Sequence, residues 1–67
     1  MDTTKVKKLM EEKHITVEMM AKELGMNPAT YYRKMQKDGG EFSALDLMVF
    51  KRVLDITTQD AVDILLS

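Results

Sequence analysis

Sixty-seven residues without a cysteine, carrying ten Lys or Arg against eleven Asp or Glu for a net charge of −1, leave room for one small domain, 1–67, held by packing alone. This excludes a disulfide framework and a thiolate metal site, and the near-neutral balance excludes a uniformly basic coat of the kind that gives strong sequence-independent affinity for nucleic acid. A lone histidine and the absence of a long apolar run point away from metal ligation, a signal peptide and a membrane span, and toward a soluble chain in a reducing cytoplasm.

Taken in order, Thr3 or Thr4 is expected to cap a first helix running to about Lys13, with Val6, Leu9 and Met10 as its buried stripe. Lys5, Lys7, Lys8 and Lys13 fall on its wet side, where a solvated face explains them and contact with phosphate is the functional alternative. His14 and Ile15 close the connection. Thr16 then caps a second short helix whose Val17, Met20, Ala21 and Leu24 recur on one face, and Gly25 stands where a left-handed residue would end it. Asn27-Pro28 restarts the chain with a capping side chain and a proline at the first helical position, giving a third helix over 28–37. Ala21 is small enough for close approach of the two helices, and Met26, Tyr31 and Met35 supply matching apolar surface. This is the pattern of a helix-turn-helix formed by helices two and three.

Over most of its length the chain resembles the lambda-repressor-like helix-turn-helix proteins, which include phage Cro proteins and repressors. That family's motif has a small residue fifth, a glycine ninth and an apolar residue fifteenth, which counted from Val17 are Ala21, Gly25 and Tyr31. Two positions depart from it. The first, often a DNA-contacting glutamine, is Val17, and the eighteenth, usually apolar, is Lys34, so Met35 is expected to take the inward role four residues after Tyr31.

After the third helix, Gly39-Gly40 indicates a helix end and a bend, and its surroundings lack the spacing of a phosphate-binding Walker loop. Ser43 and Asp46 form a capping-box start for a fourth helix to about Leu54, with Phe42 as the hydrophobic residue ahead of it and Leu47, Phe50 and Leu54 inward. Thr58 opens the last helix, 58–66, behind a threonine-capped turn, with Ala61, Ile64 and Leu65 inward. The seven methionines need no role beyond filling gaps in a small core, with Met19 off the buried face. The expected fold class is therefore all-α: a compact five-helix domain with no strand pattern and no internal repeat.

The resemblance implies a transcriptional regulator, repressor or Cro-like, that binds double-stranded DNA with the recognition helix 28–37 in the major groove. Asn27, Pro28, Ala29, Tyr32, Arg33 and Gln36 are its groove-facing candidates. Arg33 suits guanine, Gln36 adenine and the Ala29 methyl thymine, while Tyr32 suits a phosphate. Lys37, Thr16 and Ser43 complete the set of candidate DNA contacts, although Asp38 and Glu41 make the adjoining loop acidic. Residues 1–40 carry +2 and 41–67 carry −3, so the positive end holds the motif. Leu45, Met48, Val49, Val62 and Leu66 exceed what one buried face needs and are the candidate interface, either for a homodimer on a palindromic site or for another regulator protein. That second partner defines the competing function, a modulator or antirepressor acting through helices four and five. No cofactor is implied, and the dispersed carboxylates give no sign of an enzyme.

Overall fold

Every helix of this chain starts behind a short polar side chain that accepts a first-turn N–H, and these side chains set the boundaries. The computed structural model describes residues 1–67 as α1 (Thr3–Glu12), α2 (Val17–Leu24), α3 (Pro28–Gln36), α4 (Ala44–Leu54) and α5 (Thr58–Leu65), with no strand. The caps are Asp2, Thr16, Asn27, Ser43 and Thr57. Ser43 and Asp46 form the full reciprocal box: Ser43 Oγ accepts from the Asp46 N–H at 3.1 Å, and the Asp46 carboxylate accepts from the Ser43 N–H at 3.0 Å.

The first boundary differs from expectation. Asp2, not Thr3 or Thr4, caps α1 by accepting from the Lys5 N–H at 3.1 Å, and Thr3 is already helical. A carboxylate one residue earlier competes well for this place, because it can only accept and its charge is favoured at the positive end of the helix dipole. α3 ends at Gln36 with Lys37 as its cap, and α5 ends at Leu65 with Leu66 as its cap, each one residue short of the sequence reading.

All five helices contribute to one core: Val6 and Met10, Met20 and Ala21, Tyr31 and Met35, Phe50 and Leu54, then Ala61, Ile64 and Leu65, with Phe42 entering from the loop before α4. The aromatic rings form its centre. Phe42 meets Phe50 edge-on with centroids 5.0 Å apart, and Tyr31 lies 6.0 Å from Phe42 and 6.3 Å from Phe50. Phe50, Met20, Leu54 and Val6 are sealed from solvent, and each such side chain contributes roughly 1.5–3 kcal/mol relative to exposure.

Polar contacts tie the ends of the helices together. The Lys13 ammonium donates to the Leu54 carbonyl at the end of α4, while the residue itself stays exposed with the other lysines of the wet face. Arg52 on α4 bridges to Glu23 on α2 at 3.0 Å, and the Asp2 N–H donates to the Ile64 carbonyl at 2.7 Å, joining the start of α1 to α5. No helix is long and apolar enough to cross a membrane.

Candidate nucleic-acid interface

The turn between α2 and α3 is three residues, and each has a defined task. Gly25 takes the left-handed conformation at φ 72° and donates its N–H back to the last turn of α2. Met26 donates to the Ala21 carbonyl at 3.0 Å, and its half-buried side chain packs against the core. Asn27 then accepts from the Thr30 N–H at 2.8 Å and starts α3, with Pro28 in the first turn, where its missing N–H costs nothing. Ala21 is buried on the facing side of α2, and its single methyl lets α3 pack closely.

At about 100° per residue, Tyr31 and Met35 fix the inward direction of α3, and Ala29, Arg33 and Gln36 fall on the opposite side. The burial agrees: Tyr31 and Met35 belong to the core, whereas Ala29, Arg33, Gln36 and the capping residue Lys37 are exposed. Tyr32 lies between these faces. It is 53% exposed, against 2% for its neighbour Tyr31, and its ring lines the seam toward α1 beside Lys7, Met35 and Gln36. Lys34, at the motif position usually apolar, is half-buried with its ammonium 5.7 Å from the centre of the Phe42 ring. A lysine stem serves there as an apolar cover while its head stays wet.

The remaining candidates stand at helix starts. Asn27 and Pro28 stand at the start of α3, with the Asn27 amide oxygen engaged in capping and the ring of Pro28 half-buried. Thr16 and Ser43 are exposed, but each uses its hydroxyl oxygen to accept a backbone N–H, from Met19 and Asp46. Their hydroxyl hydrogens remain available as donors.

Arg33 and Lys37 share one acid, a contact that sequence spacing left undetected for Arg33. Glu41 lies 3.1 Å from Arg33 Nη1 and 3.2 Å from Lys37 Nζ. Hydrogen bonds from Lys37 and then from Arg33 hold the Glu41 carboxyl below the usual carboxylate range, so it is ionised at neutral pH. The Lys37–Glu41 spacing of four was a visible signal; the Arg33 contact needs the loop to fold back. That fold-back uses two successive left-handed residues, Asp38 at φ 56° and Gly39 at φ 70°.

On α4 and α5, with the C-cap of α5, Leu45, Met48 and Leu66 are largely exposed and Val62 nearly half so. Met48, Val62 and Leu66 border an apolar groove of about 280 Å³ between α4 and α5, floored by Ala61 and Leu65. Leu45 and Val49 border an adjoining hollow with Lys51 and Arg52, and Met48 is common to both. Val49 is only partly exposed, so it is the weakest member of the patch expected from sequence. No group of three or more His, Asp or Glu side chains is gathered for a metal ion. No protein-family model, curated protein or solved structure matches this chain.

Proposed function

We propose that this chain is a sequence-specific double-stranded DNA-binding regulator in which α2 and α3 act as a helix-turn-helix and α3 enters the major groove. The observation that carries this reading is the division of α3: Tyr31 and Met35 are buried, while Ala29, Arg33, Gln36 and Lys37 are exposed away from them. Helix α3 is short, tightly joined to α2 and braced by the aromatic core beneath it, which suits an element that must keep its register on a duplex.

In this docking Arg33 donates to guanine O6 and N7, Gln36 pairs with adenine, and the Ala29 methyl packs on thymine, with each good bidentate pair contributing about 1–3 kcal/mol of discrimination. Lys37 neutralises phosphate at the end of the helix. Tyr32, on the flank toward α1 beside Lys7, reaches the backbone and not a base edge. Transcription is then controlled by occupancy of the site. Selection from a random duplex library at two salt concentrations, followed by footprinting, tests this: an enriched sequence with salt-dependent affinity is expected, and absence of both would reject it.

The second reading is a protein-interaction module, and the exposed Leu45, Met48, Val62 and Leu66 favour it specifically. The two readings share a partner surface. A second copy seated on the α4–α5 groove would place two α3 helices on a palindromic site, whereas another regulator in the same groove would make the chain a modulator or antirepressor.

A further inference from the structure

An acid stands among the cations of the α3 face. Glu41, from the loop between α3 and α4, takes both of its contacts from Arg33 on one nitrogen: Nη1 lies 3.1 Å from Oε1 and 3.5 Å from Oε2. Lys37 Nζ meets the same carboxylate at 3.2 Å. The other edge of the guanidinium, Nε with Nη2, donates to nothing in the protein. That edge presents the two parallel N–H groups that match guanine O6 and N7. Glu41 therefore occupies Arg33 and Lys37 as phosphate ligands while leaving Arg33 able to read a base.

The geometry points to Glu41 as a discriminating residue of the DNA-binding face, which suppresses phosphate-only association with any sequence and spares the base-reading edge of Arg33. This inference rests on the DNA reading above and adds its control of specificity. Sequence-independent affinity comes from Lys and Arg neutralising phosphates with release of counterions, and it weakens when those cations already hold a carboxylate. The same carboxylate also repels phosphate oxygens that approach the two side chains. A guanine edge is uncharged and approaches from the free side of Arg33, so a correct site avoids the part of this cost that falls on Arg33, while the part on Lys37 is common to all sequences. Helix α3 and its cap hold three cations, Arg33, Lys34 and Lys37, so one acid that engages two of them has leverage.

Glu41→Gln keeps the shape and removes the charge. Binding of wild type and variant is measured against a random-sequence duplex pool and against the duplex that the wild-type chain enriches from that pool, at low and moderate salt. The variant is expected to bind the pool about three- to tenfold more tightly, the range expected for releasing two exposed ion pairs, with a steeper salt dependence, and the enriched duplex only about two- to threefold more tightly, the share of Lys37 alone. Equal gains on both duplexes would reduce Glu41 to general repulsion and overturn the inference, as would no change on either. Loss of affinity for the enriched duplex would overturn it too, by showing that Arg33 needs the carboxylate as a brace. A wild-type chain that enriches nothing and binds no duplex fails the DNA reading itself, and the inference with it; the inference fails alone only where wild-type binding is present. Glu41→Ala, compared with Glu41→Gln at equal thermal stability, separates loss of charge from loss of the side chain.

Discussion

Tyr31 and Met10 meet in the interior, where the phenol hydroxyl donates to the thioether sulfur across 3.3 Å. A buried hydroxyl is thereby satisfied by a soft acceptor, and the ring is free to pack against Phe42 and Phe50. Tyr31→Ala is expected to cost about 3–5 kcal/mol, enough to unfold a domain of this size, whereas Tyr31→Phe should cost no more than about 1 kcal/mol. Tyr32→Ala should melt like the wild type and bind DNA less well. Thermal melts of the three variants check this, and equal melting of Tyr31→Ala and Tyr32→Ala would mean that α3 has the opposite phase.

The same burial predicts a pH dependence. Loss of solvation, and second the neighbouring Tyr32 phenol, push the Tyr31 hydroxyl up from 10.0 to about 12. The folded state thus keeps a proton that the unfolded chain releases near pH 10, so the contribution is intact below that value and is lost as pH rises toward 12. The loss approaches about 2–3 kcal/mol. Urea unfolding followed through the alkaline range should show this decline in the wild type, and Tyr31→Phe should lack it.

On the proposed DNA face, Arg33→Ala is expected to cost about 1–3 kcal/mol at the preferred site and to relax base preference at one position. Lys37→Ala should weaken binding similarly for all sequences. Neither should lower the melting temperature measurably, because both side chains are more than half exposed and their shared ion pair with Glu41 is solvated. Competition assays over single-base variants of the selected duplex separate the two effects, and an unchanged preference in Arg33→Ala would count against the docking.

Two glycines at positive φ should respond differently to alanine. Gly25 at φ 72° has open space where a Cβ would stand, so Gly25→Ala should cost only the backbone term, about 1–2 kcal/mol. At Gly39, φ 70°, a Cβ would come within 2.8 Å of the Met1 sulfur, so Gly39→Ala carries the same backbone term and also displaces that side chain. Denaturant midpoints should rank Gly39→Ala below Gly25→Ala, and equal midpoints would show that the Met1 side chain gives way at no cost.

How much of this was legible in the sequence follows from the range of each signal. The Thr16, Asn27 and Ser43 caps, the Gly25 turn and the inward Tyr31 and Met35 are local patterns of capping chemistry and helical period, and they were readable directly. The Asp2 cap was missed because neighbouring Thr3 and Thr4 carry the same type of signal one and two positions later. The Lys13 contact with Leu54 spans 41 residues and the grip of Glu41 on Arg33 depends on a loop folding back, so neither leaves a periodic trace. Lys34 over Phe42 is similar: a charged residue at an inward position reads as a defect until the ring that it covers is known.

The last expectation is self-association through the α4–α5 groove. Leu45 is 73% exposed, and Met48 and Leu66 are about two-thirds exposed. A chain of 67 residues has little surface on which to hide such a patch. The groove and the side chains that rise beside it belong to one surface: Met48, Val62 and Leu66 border a hollow of about 280 Å³, and Leu45 stands next to it. A two-fold axis through this region would set the projecting side chains of one copy into the hollow of the other. A palindromic site would ask such a dimer to hold its α3 helices about one DNA turn, ~34 Å, apart. Sedimentation across a concentration series should therefore show a monomer–dimer equilibrium, shifted toward dimer by a palindromic duplex. Leu66→Lys and Met48→Lys should abolish it without loss of fold, since neither residue is in the core, while Val49→Lys should act more weakly from its partly covered position. A chain that stays monomeric at all concentrations, with Leu66→Lys indistinguishable from wild type, would assign the groove to a different protein and favour the modulator reading.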